Sequence, residues 1–272
     1  MFETVKGLVL RACDYGDNDR ILTILTGGGK RTVTVKGAHG VKNRYLAVAQ
    51  PLCYAEFTLD CKRGRAWLRE AALIENFFGI RQEIGRYALA LYAAEVACEV
   101  CMENNDEGDM LSLVLNTLYA LSVGKPGEKQ IKATFELRAA VLLGFMPDLV
   151  ACRECGRGDA DRMYLDVMDG MLLCGDCFFG RDSGEEAREE ADHAVLILPL
   201  SPEVLDAMRY VIYCGPKRIF SYTADETVLE QLAAVCETYF LNHVERGFRS
   251  LTFYKAVTDP RLNIADGGEE PQ

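Results

Sequence analysis

Two thiol hooks constrain this chain more than any other feature: Cys152-x-x-Cys155 and Cys174-x-x-Cys177, with 18 residues between them. Four thiolates in two hooks can surround one Zn2+ tetrahedrally, because the two-residue gap lets each backbone curl until both sulfurs meet one ion. The separation is that of a four-cysteine zinc ribbon. Gly156 follows the first hook, and Gly175 and Asp176 lie inside the second. Between the hooks, residues 163–173 read as a hairpin turning at Asp169-Gly170. Four cysteine ligands leave no open coordination position, so the expected role of a single Zn2+ is structural.

The chain has 11 cysteines in 272 residues. The count is odd, and chelating spacing explains four of them, which reads as a reducing cytoplasm rather than a secreted disulfide scaffold. No apolar run approaches the roughly 20 residues of a membrane span. The first residues place an acid too early for a signal peptide. Net charge is −11, which taken alone argues against a polyanionic partner. Its distribution argues otherwise. Residues 1–80 carry 12 Lys and Arg against 8 Asp and Glu, a net of +4, whereas residues 151–272 carry a net of −11. A polyanion site is expected at the N-terminal end.

From residue 3 to 77 the pattern has period two and is cut by glycine turns, predicting five strands at 3–12, 20–26, 30–36, 52–61 and 65–74. Five strands in about 75 residues suit a small closed barrel of the OB type, which hides its own edges. After Gly79 the period becomes helical. An apolar stripe through Ile80, Ile84, Tyr87, Ala88 and Leu91 is interrupted only by Glu95. Further helices are expected at 109–122, 128–143, 202–213 and 227–244. The expected fold is thus α+β and multidomain: an OB-type barrel over 1–79, a helical bundle from 80–150 and 193–257, an inserted ribbon over 151–182, and a disordered tail over 258–272.

Several apparent catalytic signals dissolve on inspection. Gly27-Gly28-Gly29-Lys30 lacks the first glycine and the Lys-Ser/Thr pair of a P-loop, so it reads as a strand turn. Cys98 and Cys101 form a lone C-x-x-C inside a helical pattern and read as buried small hydrophobes. The histidines, His39, His193 and His243, are scattered. Nothing nominates an active site.

The basic residues of the barrel are the functional candidates. Lys30, Arg31, Lys36, Lys42 and Arg44 fall in or beside the loop 37–50, and Lys62, Arg63 and Arg65 surround the fourth turn. Such cations neutralise phosphates and release counterions without reading sequence. An ordinary solvated surface is the competing account. Tyr45 and Trp67 offer flat faces for bases, although Trp67 reads first as core packing, since lone aromatics in strands usually pack.

Residues 135–155 (FELRAAVLLGFMPDLVACREC) run from Phe-Glu-Leu through Leu-Gly-Phe and Pro-Asp-Leu to the first hook. This order resembles the RecO family of bacterial DNA repair and recombination proteins. GLVLRACDYGDNDRILTILTGGGK is similar to that family's first hairpin, and VKGAHGVKNRY followed by Gln50-Pro51-Leu52 to its barrel loop. Glu95 within YAAEVACEV and the late FRSLTFY also fit, so the resemblance covers about residues 1–257.

The resemblance implies an OB barrel, a helical domain and a zinc-ribbon insert in a protein without catalytic turnover. It implies binding of single- and double-stranded DNA and annealing of complementary strands. It also implies work with RecR and RecF to load RecA onto strands coated by single-strand binding protein. Lys36, Lys42 and Arg44 match the family's basic loop, whereas His39 and Asn43 stand where it often has basic or hydroxyl residues. The four hook cysteines match the ligands of members that keep zinc. Lys129, Lys132 and Arg138, on one predicted helix, are the candidates for receiving the acidic tail of single-strand binding protein. A nucleoid-associated cytoplasmic location follows. The alternative from another class is a zinc-ribbon adaptor whose barrel binds RNA or protein in transcription or translation.

Overall fold

A computed structural model describes residues 2–38, 45, 47–181 and 196–259. Lys42 and Arg44, two of the candidate DNA ligands, lie outside the described residues, as do His39, Asn43, His193 and the tail beyond Asp259.

Five strands close a barrel in the order β1-β2-β3-β5-β4. They are β1 (Phe2–Tyr15), β2 (Asp19–Thr26), β3 (Gly29–Val35), β4 (Tyr54–Lys62) and β5 (Arg65–Glu75). Each lies within a few residues of its expected range. Closure is achieved by one parallel contact, Val33 opposite Ala66 and Thr34 opposite Trp67, while the other pairings are antiparallel. Alternation does the sorting: Val9, Leu22, Ile24, Val33, Val35, Phe57, Leu59, Ala66 and Leu68 fill the interior. Each large apolar side chain so buried contributes about 1.5–3 kcal/mol.

The Gly27–Gly29 turn is structural, as its missing motif positions implied. Gly29 has φ +106°, and a Cβ there would sit 2.8 Å from the Met102 carbonyl oxygen. Only glycine allows that approach without strain. The gap is used by backbone hydrogen bonds: Lys30 N–H donates to Met102 O at 2.9 Å, and Glu107 N–H donates to Gly27 O at 3.0 Å. The turn is thereby sewn to the segment that follows the first helix.

Seven helices occur among the described residues: α1 (Ile84–Val100), α2 (Gly108–Val123), α3 (Glu128–Leu142), α4 (Gly175–Arg181), α5 (Pro202–Tyr213), α6 (Glu226–Val244) and α7 (Arg249–Thr258). The expected stripe on α1 needs correction. Ile84 is exposed, and the buried residues, Ala88, Leu89, Ala90, Tyr92, Ala93, Ala94, Val96 and Ala97, run around most of the helix. The cause is packing on several sides, against β1, α2 and α7. Its alanines permit those close approaches, and a helix apolar all round is a buried one.

The chain divides into two compact units, Met1–Glu128 with Phe248–Gln272, and Lys129–Gly247. Helices α1, α2 and α7 thus cluster with the barrel. The second unit contains a four-stranded sheet in the order β6-β8-β7-β9, built from β6 (Asp148–Cys152), β7 (Met163–Asp166), β8 (Met171–Cys174) and β9 (Ile197–Leu200). β7 and β8 form the expected hairpin, with Gly170 at φ +66° ending its turn. Arg209 on α5 holds the edge of this sheet, donating to the carbonyls of Leu149, Val150 and Gly158 at 2.8, 3.2 and 3.0 Å.

Candidate nucleic-acid interface and metal centre

β6 and the turn after it carry the first hook, while β8 and the start of α4 carry the second. The structure gathers all four sulfurs within 4.8 Å of one another. Cys155 Sγ and Cys174 Sγ are 3.6 Å apart, close to the edge of about 3.8 Å that a tetrahedron with Zn–S bonds of about 2.3 Å requires. Burial opposes charge on Cys152, yet backbone N–H groups of Cys174, Cys155 and Glu154 outweigh it and bring its thiol down to about 6. Donors aimed at sulfur favour the thiolate, the form that binds metal. The donor set therefore fits a metal ion, and the cluster can hold one. Around it Arg153 reaches Asp166 and Asp169 at 3.3 and 2.7 Å, and Arg157 reaches Asp176 at 2.7 Å. These ion pairs brace the loop and helix that present the cysteines. All 11 cysteines are free of disulfides, and Cys98 and Cys101 belong to the packed end of α1 and its cap.

The barrel's candidates fall into two groups. Lys30 is half-buried, and its ammonium donates to the Cys98 carbonyl near the C-terminal end of α1, where the helix dipole favours a cation. Arg31 pairs with Glu3 at 2.8 Å. Both charges are engaged within the first unit. Lys36 and Arg65 are exposed. Lys36 continues the outward set of β3, since it follows exposed Thr32 and half-buried Thr34 at period two.

Beside them lie cations that the sequence reading ranked lower or omitted. Lys62 pairs opposite Arg65 in the β4–β5 ladder. Lys62 and Arg69 both contact the Asp60 carboxylate, at 3.1 and 2.7 Å. Asp60 is only 3% exposed at its side chain, whereas Lys62 and Arg69 remain 63% and 55% exposed. Hydrogen bonds from Arg69 and Lys62 hold the Asp60 carboxyl below the usual carboxylate range. The acid is thus a floor from which the two cations project.

Trp67 was read first as core, and the structure places it differently. Its neighbours Ala66 and Leu68 belong to the interior cluster, while Trp67 is half-buried on the opposite, outer side. Strand alternation was the signal that could have found it. Tyr45 instead packs against the interior cluster and donates its hydroxyl to the Arg69 carbonyl. The outer side of β3, β5 and β4 therefore presents Lys36, Lys62, Arg65, Arg69 and Trp67 together.

The three α3 candidates are not brought together as a receptor for an acidic peptide. Lys129 pairs with Glu226 and with Glu230, the latter at 2.8 Å. Lys132 is 5% exposed at its side chain, with Glu136 at 2.8 Å and Glu237 at 2.7 Å. Arg138 donates to the carbonyls of Val211 and Ile212 at 3.3 and 2.8 Å. Their charges are satisfied inside the second unit.

A closed five-stranded barrel, helices and a four-thiolate cluster able to hold a metal define a class of OB-type proteins with a ribbon insert. Comparison with known proteins narrows it. Residues 1–77 match the family described as "Recombination protein O N terminal", and residues 81–252 match "Recombination protein O C terminal". The chain belongs to the RecO family of DNA repair and recombination proteins. The DNA repair protein RecO of Acetivibrio thermocellus is 29% identical over 253 residues, covering 93% of this chain and 96% of that one. That of Anaeromyxobacter sp. (strain K) is 34% identical over 177 residues, 64% and 69% of the two chains. That of Bacillus pumilus is 26% identical over 236 residues, 86% of each. The transcription or translation adaptor is set aside by this membership. No helix among the described residues is long and apolar enough to cross a membrane.

Proposed function

We propose that the chain is a recombination mediator without catalytic turnover. It binds single- and double-stranded DNA through the outer side of the barrel and brings complementary strands together. With RecR and RecF it helps load RecA onto strands coated by single-strand binding protein, in the nucleoid-associated cytoplasm. The observation that carries this reading is the concentration of exposed cations on β4 and β5 and, with Lys36, just past the end of β3, in a chain whose total charge is −11. Phosphate repulsion between two strands is what opposes annealing, and a basic surface screens it while base pairing supplies the specificity. Lys36, Lys62, Arg65 and Arg69 are the described residues assigned to phosphates, with Lys42 and Arg44 of the barrel loop beside them in sequence. The metal held by Cys152, Cys155, Cys174 and Cys177 is Zn2+, and its role is structural.

The test is the salt dependence of single-strand affinity. Each neutralised phosphate adds about −0.7 to the slope of log affinity against log salt on single strands. Lys36→Ala and Arg65→Ala should each flatten that slope by about 0.7. Slopes indistinguishable from wild type in both variants would remove the outer side from the interface.

A further inference from the structure

From the position of Trp67 we infer that its indole is a base-stacking platform, one that makes the barrel's outer side prefer single strands to duplex. The inference rests on the reading of that side as a DNA site. Trp67 sits in the middle strand of the β3-β5-β4 surface, opposite Thr34 on one side and Asp60 on the other. Both neighbours are short, and neither Trp67 nor Thr34 belongs to the interior cluster. A large aromatic ring is thus left half-buried on an outer surface of charged residues and threonines. Core packing, the usual explanation for an aromatic in a strand, does not account for it.

Its flanks fit the same role. Arg65 lies two residues before Trp67 on the same exposed alternation, and Arg69, the bulged residue two positions after it, reaches Asp60, the cross-strand partner of Trp67. At a strand rise of about 3.4 Å per residue, Arg65 stands about 7 Å before the ring, and the bulge brings Arg69 to its other side. A base laid on the indole would carry its 5′ and 3′ phosphates toward the two guanidinium groups. Asp60 contacts Arg69 at 2.7 Å, which fixes that arm beside the ring. Duplex DNA keeps its base faces stacked on one another and offers this surface only phosphates. Single strands offer both phosphates and π-faces, and stacking is indifferent to which base is present.

Trp67 is the sole tryptophan of the chain, so its emission reports this site alone. The experiment titrates the protein with a single-stranded thymidine oligonucleotide, an abasic strand of equal length, and a duplex. It follows tryptophan emission in parallel with the anisotropy of a label on the DNA. The expected result is quenching by the thymidine strand and none by the abasic strand or the duplex. Trp67→Ala should cut the ratio of single-strand to duplex affinity by about 5- to 150-fold, and Trp67→Phe should restore most of it. Unchanged emission while anisotropy shows the thymidine strand bound would overturn the inference and leave the DNA site standing. So would a wild-type affinity ratio in Trp67→Ala. Binding of neither strand form by anisotropy would overturn both the inference and the reading beneath it.

Discussion

Glu95 on α1 accepts a hydrogen bond from the backbone N–H of Ser250 at 2.8 Å, in the first turn of α7. It also accepts from Arg249 N–H at 3.3 Å and from the Ser250 hydroxyl. One carboxylate therefore caps a helix that is 155 residues away in sequence and has no cap from the side chain of its own N-cap residue, Phe248. The orphan N–H groups and the positive end of the dipole both favour an anion there. Tyr92 and Phe248 add an edge-on ring contact at 5.6 Å beside it. Glu95→Ala should cost about 1–2 kcal/mol in urea unfolding of the chain, with Glu95→Gln recovering part. An Ala variant with wild-type stability would show that α7 docks through its apolar residues alone.

Lys132 is the buried counterpart. Burial disfavours its charge, but Glu136 and Glu237 outweigh that and raise its pKa above the ordinary lysine value. The sign follows: its stabilisation is complete below the unfolded value of about 10.4 and is lost as pH climbs through the folded one. Lys132→Met should destabilise the second unit by about 3–5 kcal/mol, because two carboxylates are left facing each other. It should also remove the loss of stability that sets in as pH rises above about 10.4. A melting profile whose alkaline limb is identical in wild type and variant would contradict the ion triad.

For the metal centre, Cys174→Ser should abolish stoichiometric zinc and lower the melting temperature of the folded chain. Chelation of wild type should produce a similar drop. Cys174 is fully buried, so the variant cannot keep a solvent-satisfied hydroxyl in its place. Zinc retained at one per chain in the variant would refute the ligand assignment.

Asp60 restrains the cations that sit above it. Asp60→Asn removes a buried negative charge from beneath Lys62 and Arg69 and makes both more available to phosphate. Single-strand affinity at low salt should rise several-fold, with a steeper salt slope by up to about 0.7. Reduced affinity would mean that holding Arg69 in place matters more than releasing its charge.

What could be read from the chain beforehand was what local rules decide. Period two located the five strands, the hook spacing assembled Cys152, Cys155, Cys174 and Cys177, and the helical ranges near 128–143 and 202–213 matched α3 and α5 closely. The failures are tertiary. Lys132 looked like a surface charge because helical periodicity on α3 cannot announce that α6 will bring Glu237 against it. Helix α7 falls within the expected helical region but carries no start signal of its own, because its cap, Glu95, lies in α1. The α1 stripe was misjudged because a helix packed on several sides has no single apolar face. Trp67 differs in kind: aromatics in strands usually pack inward, but the alternation of Ala66, Trp67 and Leu68 puts this one outside.

The most direct test of the account is annealing of complementary strands precoated with single-strand binding protein, compared between wild type and a Lys36→Ala, Arg65→Ala double variant across a salt series. Wild type should anneal them, rising salt should suppress it, and the folded double variant should lose most of the rate. Wild-type rates in that variant, or no annealing by wild type at any salt, would contradict it.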